Sequence, residues 1–413
     1  MTVTRFLTIV GPGLLVAATG VGTGDLATGS FAGSMLGTAI LWAVIVGALL
    51  KFSITEGIAR WQLSTSMTVI EGAARHLGPL PLYVFLPYLI LWSFFTASAM
   101  MSGCGVTLHA LIPVFADPAT GKVVFGIMSS IVGVTLVYIG GYRLFEKIMT
   151  VCILLMFVTV VYTAIALWPG TEAVFQGTFM PTIPDFDGEG LTWTIALIGG
   201  VGGTVTVLSY GYWIREEGRD KASDIPICRI DLGTGYLMTA IFGMSVVIIG
   251  SNVEVSGGGA MLIVALAEQL RGPLGEAGKW LFLAGAAGAV FSSLLGTWQA
   301  TPYIFADSWR LFRNRGAAAG SEAVATRSPL YRSYLAALAI IPMLGLFTDF
   351  REVQKLYAVT GAFFVPMLAL VLLLLNGRKE WVGARNRNGV LATTILLIAV
   401  IFFLSIAANR ILA

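Results

Sequence analysis

Two glycine-rich stretches, Gly20-Val21-Gly22-Thr23-Gly24-Asp25 and Gly199-Gly200-Val201-Gly202-Gly203-Thr204, interrupt hydrophobic segments that are otherwise long enough to cross a bilayer. Glycine adopts many backbone conformations, so such runs predict that each helix breaks there and leaves backbone amides and carbonyls unpaired. At membrane depth an unpaired backbone is tolerated only where protein or a water-filled cavity satisfies it. The sequence therefore predicts two broken membrane helices that line a binding site.

The composition is that of a polytopic membrane protein. Hydrophobic residues make up 57% of the chain and charged residues 11%, with a mean hydropathy of +0.86, whereas soluble domains have about 25% charged residues. The net charge of +3 is small and the basic residues are scattered, so no nucleic-acid partner is predicted. The two histidines, His76 and His109, are far apart. We therefore expect neither an enzyme nor a bound cofactor.

Windows of about 20 apolar residues predict eleven transmembrane helices, numbered 1 to 11, at residues 6–35, 39–63, 81–112, 122–140, 145–168, 190–213, 232–252, 277–305, 331–348, 353–375 and 389–409. Basic residues concentrate in alternate loops, and the loop at residues 168–191 contains no Lys or Arg. The positive-inside rule then predicts a cytoplasmic N-terminus and an external C-terminus. A retained first helix indicates a bacterial inner (plasma) membrane. The amphipathic stretch at residues 259–272 is predicted to lie on the outer surface.

Helices 1 and 6, which carry the two glycine stretches, stand five helices apart. Two five-helix repeats followed by one extra helix explain this spacing, with repeats at residues 1–175 and 176–376 and helix 11 within 377–413. Because five is odd, the second repeat enters from the opposite side, so the repeats are inverted. Broken helices at matching places in inverted repeats are typical of secondary transporters. We expect a midplane site for a transported ion or small solute, with the lipid bilayer as the other partner.

Several short motifs, taken together, resemble the Nramp (natural resistance-associated macrophage protein) family of metal-ion transporters. They are Gly11-Pro12-Gly13-Leu14-Leu15, Phe145-Glu146-Lys147, Ser292-Ser293 with Gly296-Thr297, Ile341-Pro342, Pro366 and the stretch 383–389. Their order and spacing are similar to those of the family along most of the chain. The resemblance implies the leucine-transporter fold, an all-helical architecture of two inverted five-helix repeats, here with eleven transmembrane helices.

The chain departs from the family at the site itself. Metal-transporting members have Asp-Pro-Gly-Asn at the helix 1 break, where this chain has Gly22-Thr23-Gly24-Asp25. The family's Ala-x-x-Met-Pro-His in helix 6 aligns with residues 203–208, so Thr206 replaces the methionine and Leu208 the histidine. The resemblance implies proton-coupled import, but the loss of the aspartate and the histidine favours uncoupled uniport.

The residues that this chain has at the two breaks predict a metal site whose ligands are all oxygen atoms. Its ligands would be the side chains of Asp25 and Thr206 and the backbone carbonyls of Gly22 and Gly203, with the Thr23 hydroxyl beside them. Oxygen ligands suit hard cations such as magnesium, calcium and manganese. The leading hypothesis is a transporter of a hard divalent ion, magnesium-like or manganese-like, by alternating access. The competing structural hypothesis is that Asp25 caps the second half of helix 1.

A small organic solute is the alternative cargo, amino-acid-like or zwitterionic, carried without metal or proton coupling. Helix ends would bind its charged groups, and the hydroxyls of Thr206 and Ser209 and the ring of Tyr210 would complete the pocket. For either cargo, the candidate substrate-binding residues are Gly22, Thr23, Asp25, Gly203, Thr206, Ser209 and Tyr210. Tyr210 equally suits an interfacial aromatic belt.

Four further ionisable residues near or within apolar spans are candidates for ion pairs or gating. Glu56 and Arg60 in helix 2 stand four residues apart, which favours a structural ion pair on one helix face. Lys51 in the same helix is expected to snorkel or to pair with a carboxylate of another helix. Glu146, at the start of helix 5, suits either a gating contact or a surface charge.

Overall fold

A computed structural model of the chain describes residues 11–20, 22–253, 259, 261–314 and 328–412. Within these ranges all regular secondary structure is helical, which confirms the predicted all-α class. The predicted start of helix 1 at residue 6 and part of the predicted surface stretch at 259–272 lie outside the described residues. The other predicted spans fall within them.

Both glycine stretches break their helices, as predicted. Helix 1 consists of helix 1a (Pro12–Gly20) and helix 1b (Thr23–Leu36). Helix 6 consists of helix 6a (Gly190–Gly200) and helix 6b (Ser209–Glu216), with a 3₁₀ turn at Val205–Leu208 between them. In each case the two half-helices are joined by a stretch without continuous α-helical hydrogen bonding. The breaks therefore lie in the interior of otherwise membrane-length segments.

The remaining helices follow the predicted order. They are helix 2 (Leu41–Thr65), helix 3 (Leu80–Leu111), helices 4 and 5 (within Pro118–Ala166), helix 7 (Ile225–Gly250), helix 8 (within Leu262–Arg313), helix 9 (Pro329–Ile340 with a 3₁₀ extension Ile341–Phe347), helix 10 (Phe350–Ala362 and Phe364–Asn376) and helix 11 (Val390–Leu412). Short connecting helices lie at Val69–His76, Thr171–Phe179 and Lys379–Val382, and 3₁₀ turns at Gly37–Ile40 and Ala222–Asp224.

The described helices include nine ranges long and apolar enough to cross a membrane, together with a shorter apolar helix at Val390–Ser405. The first range, Asp25–Thr65, contains helix 1b and helix 2, which separate at Gly37, where φ is +63°. With helices 1b and 2 counted separately and the shorter helix included, the described residues contain a helix for each of the eleven transmembrane segments that the sequence predicts. The segment Leu262–Arg313 bends at Gly275, so helix 8 proper begins there and a shorter helix precedes it.

The broken helices lie in the centre of the bundle because other helices surround them. Helix 7 packs on helices 1a, 1b and 2, the first half of helix 10 packs on helix 6a, and helix 8 packs on helices 3, 1a and 1b. Large side chains at these contacts are fully buried, including Trp92, Trp193, Trp298 and Phe242. Burial of this apolar surface separates the two breaks from lipid, so their backbone polar groups depend on partners inside the bundle.

Candidate substrate-binding site

The two helix breaks pack directly against each other. Gly20 ends helix 1a, and a Cβ atom added to it would lie 2.3 Å from the backbone nitrogen of Gly203. Gly202 and Gly203 have φ values of +73° and +87°, a left-handed conformation that favours glycine. The close approach and the backbone conformation therefore both require glycine where the helices cross.

Helix 8 covers the opposite side of the helix 1 break. The Ser293 hydroxyl donates a hydrogen bond of 3.0 Å to the carbonyl oxygen of Thr19. A Cβ atom on Gly22 would lie 2.3 Å from the carbonyl oxygen of Ala289 and still closer to Ser293. The helix 1 break is thus held between helix 8 and the helix 6 break, with room for glycine alone at Gly22.

Asp25 lies in the first turn of helix 1b and is 1% exposed. Its Oδ2 atom accepts a hydrogen bond of 3.3 Å from the Gly202 backbone amide of helix 6. Its Oδ1 atom is buried and has no hydrogen-bond partner among the described residues. The capping hypothesis predicts a bond to the amides of helix 1b, whereas the bond that Asp25 makes goes to helix 6. One carboxylate oxygen therefore remains available at the crossing of the breaks.

Lys51 of helix 2 is also fully buried at this crossing. Its Nζ atom donates a 2.7 Å hydrogen bond to the carbonyl oxygen of Gly199 and a second bond to that of Gly203. These carbonyls lie at the C-terminal end of helix 6a, where the helix dipole favours a positive charge. The sequence predicts that Lys51 either snorkels or pairs with a carboxylate of another helix, whereas its hydrogen-bond partners are backbone carbonyls of helix 6. Lys51 and Asp25 form no direct ion pair within 4.0 Å.

The carbonyls proposed as metal ligands are both occupied within the protein. The Gly22 carbonyl accepts the hydrogen bond from Leu26 N that opens helix 1b, and the Gly203 carbonyl accepts one from Lys51. Over the part of the chain that the structure describes, no three His, Cys, Asp or Glu residues form a group able to hold a metal ion. Asp25 is the predicted ligand that retains an unpaired buried atom.

The other predicted substrate-binding residues separate into two places. Thr206 is buried in the 3₁₀ turn, and its hydroxyl lies beside Gly203. The Ser209 hydroxyl, at the start of helix 6b, is buried and lacks a described hydrogen-bond partner. Tyr210 instead points towards helix 7, where it binds Asp231. The side chain of Thr23 lies outside the described residues.

A cluster at the N-terminal end of helix 1a, away from the break and here called the Gly13 cluster, comprises Gly13, Tyr210, Arg219 and Asp231. Both carboxylate oxygens of Asp231 accept hydrogen bonds from the Gly13 backbone amide, at 2.9 and 3.0 Å. The Tyr210 hydroxyl donates to Asp231 at 2.9 Å, and Arg219 forms a 3.0 Å ion pair with it. Asp231 therefore joins helix 1a, helix 6b and the loop after it to helix 7. The sequence analysis did not identify Asp231, although an acidic residue directly before the predicted helix 7 is a signal that could have identified it.

The opposite end of the bundle is closed by the Glu189 cluster, which comprises Glu189, Trp193, Arg351 and Lys355. Glu189 forms ion pairs with Arg351 at 2.7 Å and Lys355 at 3.5 Å, and accepts a hydrogen bond from Trp193 at 3.3 Å. Partial burial opposes ionisation of Glu189, but the Trp193 bond and the two cations outweigh it and lower the carboxyl pKa. Beneath the cluster, the Phe31 ring of helix 1b lies 5.5 Å from Trp193.

The two remaining charged residues of helix 2 form a separate network. Arg60 pairs with Glu56 at 3.1 Å, and Arg229 of helix 7 binds the same carboxylate at 2.8 Å. Arg60 also donates to the Asn388 side chain at 2.8 Å. This network ties helices 2 and 7 to the segment before helix 11, away from the crossing of the breaks. The side chain of Glu146 lies outside the described residues.

Comparison with known sequences returns one family over almost the whole chain. The model described as natural resistance-associated macrophage protein-like (Nramp) matches residues 13–411. The uncharacterized protein PM0681 of Pasteurella multocida is 22% identical over 250 residues, which are 59% of this chain and 56% of that protein. The matched region thus spans about half the length of this curated relative.

Comparison with solved structures identifies the fold. The manganese transporter of Eremococcus coleocola superposes with a TM-score of 0.73 at 18% identity, over 96% of this chain and 85% of that one. MhsT in complex with L-phenylalanine superposes with a TM-score of 0.65 at 15% identity, over 97% of each chain. These likenesses confirm the predicted leucine-transporter fold.

Proposed function

This chain belongs to the Nramp family of membrane transporters, and on that premise we propose that it moves its cargo by alternating access through the crossing of helices 1 and 6. The observation that carries the proposal is Asp25. It is buried at the break, and its Oδ1 atom has no hydrogen-bond partner among the described residues. An unpaired buried carboxylate oxygen is costly unless a ligand satisfies it. The cargo therefore presents positive charge to Asp25.

A hard divalent cation is the first cargo that meets this requirement. Asp25 supplies a carboxylate oxygen and Thr206, beside Gly203, supplies a hydroxyl. Such ligands suit magnesium, calcium or manganese, whereas softer ions prefer the thioether that this chain lacks at Thr206. The fold neighbour from Eremococcus coleocola is a manganese transporter, which supports metal transport on this scaffold. Most of the coordination shell would then be water.

A small organic zwitterion is the second cargo, and Lys51 is the observation that favours it. A buried ammonium stands at the same break as Asp25, on the carbonyls of Gly199 and Gly203. A cargo with both an ammonium and a carboxylate would find an opposite charge for each. The neighbouring fold of MhsT was solved with L-phenylalanine, an amino acid of this charge type.

Alternating access requires that each end of the bundle opens in turn. The Gly13 cluster joins helix 1a to helix 7 at one end, and the Glu189 cluster joins helix 6a to helix 10 at the other. We place the Gly13 cluster on the cytoplasmic side of a bacterial inner membrane, with the C-terminus outside, as the distribution of basic loops predicts. The proposed moving halves are helices 1a and 6b at one end and helices 1b and 6a at the other.

Uptake into proteoliposomes tests the proposal. Magnesium, calcium, manganese and a panel of amino acids are offered to the wild type, to Asp25→Asn and to the control Glu172→Gln. Glu172 is an exposed acid in the loop after helix 5, so the same carboxyl-to-amide change leaves the site intact. We expect saturable uptake of one cargo class that falls at least about tenfold in Asp25→Asn. Equal uptake by a folded Asp25→Asn protein would contradict a cargo-binding role for Asp25.

A further inference from the structure

The crossing of the two breaks contains a cation of its own, the Lys51 ammonium. We infer that Lys51 determines the specificity of the proposed site and that the cargo is a small zwitterion, whose ammonium group binds Asp25 and whose carboxylate binds Lys51. The inference rests on the proposed function, because it concerns the same crossing and the same carboxylate. It is carried by the charge balance at the crossing and by the hydrogen-bond capacity that both residues retain.

The charge balance favours a cargo without net charge. In their ionised forms Asp25 and Lys51 contribute one negative and one positive charge, and both are 1% exposed. A divalent cation on Asp25 would leave two positive charges uncompensated there, since the described ranges contain no group of three or more His, Cys, Asp or Glu residues that could hold a metal ion. Charges removed from water are tolerated when they are paired. A zwitterion pairs both residues and adds no net charge.

The hydrogen-bonding atoms that remain unused are a cationic donor on Lys51 and an anionic acceptor on Asp25, and a zwitterion needs one of each. A lysine ammonium has three donor hydrogens, and the carbonyls of Gly199 and Gly203 accept two of them. The third is left for an anionic group. Asp25 uses Oδ2 for the Gly202 amide, and its Oδ1 is left for a cationic group. A free divalent ion would bind the Asp25 Oδ1 atom but would be repelled by the Lys51 ammonium.

The two charged groups are held close together by successive residues of helix 6. Asp25 binds the amide of Gly202 and Lys51 binds the carbonyl of Gly203. A cargo whose charges are a few bonds apart, as in an α-amino acid, suits this arrangement. The Tyr236 ring packs on Gly202, and its hydroxyl is held at 2.7 Å by Thr55. The Tyr236 ring therefore lies beside the backbone amide that Asp25 binds.

Binding to the wild-type protein tests the charge class without any variant. The probes are L-alanine, L-alanine methyl ester, propionate, magnesium chloride and manganese chloride, and the readouts are calorimetry and the shift in Tm. We expect L-alanine or a related amino acid to bind at least about tenfold more tightly than its ester, which lacks the carboxylate charge. Electrical recording on proteoliposomes should show uptake that moves no net charge. Divalent-ion binding with inward current and no amino-acid binding would overturn the inference.

Variants then assign the selectivity to Lys51. Lys51→Met should weaken amino-acid binding at least about tenfold and raise the relative affinity for magnesium and manganese. Lys122→Met is the matched control, because Lys122 is 4% exposed and donates a 2.5 Å bond to the Thr348 carbonyl away from the crossing. Unchanged selectivity in a folded Lys51→Met protein would overturn the inference without affecting the proposed function. The proposed function is contradicted only if uptake by a folded Asp25→Asn protein equals that of the wild type.

Discussion

Asp25 and Lys51 bind successive residues of the same helix break. The carboxylate of Asp25 accepts a hydrogen bond from the Gly202 amide at 3.3 Å, and the ammonium of Lys51 donates to the Gly203 carbonyl. Side chains of opposite charge type, from helices 1 and 2, thereby bind the backbone on the two sides of the Gly202–Gly203 peptide at the centre of the bundle. Each compensates backbone groups that a continuous helix would have paired internally. The break in helix 6 is thus stabilised by side chains of helices 1 and 2.

The crossing itself should tolerate no side chain at Gly22. In Gly22→Ala the new methyl would meet the Ala289 carbonyl at 2.3 Å, and a backbone atom cannot move aside as a side chain can. We expect a loss of about 1–3 kcal/mol of stability from overpacking, together with loss of uptake. Thermal unfolding in detergent measures the first and proteoliposome uptake the second.

Gly233→Ala is the control for this substitution. Gly233 lies within helix 7, and the nearest atom to its added Cβ is 3.9 Å away on Phe52. This variant should match or slightly exceed the wild type in stability, because alanine favours helix over glycine by up to about 1 kcal/mol. Equal Tm values for Gly22→Ala and the wild type would contradict the close packing of helix 8 on Gly22.

Asp231 should control the mobility of helix 1a. Asp231→Asn removes the charge that Arg219 pairs with and weakens the acceptor for the Gly13 amide, at a cost on the order of 3 kcal/mol for a buried pair. We expect faster hydrogen exchange in residues 12–20, measured by mass spectrometry. Asp307→Asn is the control. Asp307 is also a buried acid, but it binds Tyr212 and Arg310 and not helix 1a. Equal protection of helix 1a in both variants would contradict the role given to Asp231.

The Glu189 cluster should weaken on acidification. The lowered pKa of Glu189 means that its contribution to stability is present above the ordinary carboxyl value of 4.5 and is lost as the pH falls through the lower folded value. We expect the fall in Tm between about pH 6 and about pH 3.5 to be smaller in Glu189→Gln than in the wild type. An identical pH dependence would mean that the carboxylate is not held by Arg351 and Lys355 in solution.

Glu56 should link helices 2 and 7. Glu56→Gln leaves Arg60 and Arg229 without their shared carboxylate, and we expect a fall in Tm larger than that of Glu172→Gln, whose exposed carboxylate binds Gln176 alone. Because Arg229 is half exposed, it regains water, so the loss should remain below the cost of a fully buried pair. A Tm unchanged from the wild type would show that Arg60 is held by its bonds to the segment before helix 11.

The candidate site could be predicted only in part. Asp25 was proposed as a ligand because it directly follows a glycine break in an apolar span, and the structure places its carboxylate on the Gly202 amide of the other break. Tyr210 was grouped with it because the two breaks were expected to meet, yet the tyrosine turns to Asp231, on helix 7. Lys51 was recognised as unusual, but the carbonyls that bind it belong to residues 148 and 152 positions away. Hydropathy and spacing carry no information about such partners.

The number and order of the helices, and the positions of both breaks, follow from the order of residues alone, because membrane length and glycine conformation are properties of short segments. Family motifs spread along the chain added the fold. The pairing of charges at the centre did not follow from the sequence. Which carbonyl meets Lys51 and which amide meets Asp25 depends on how helices 1, 2 and 6 pack. That packing is set by contacts between distant residues, and in a low-dielectric interior it determines which charges are satisfied and which remain free for a cargo.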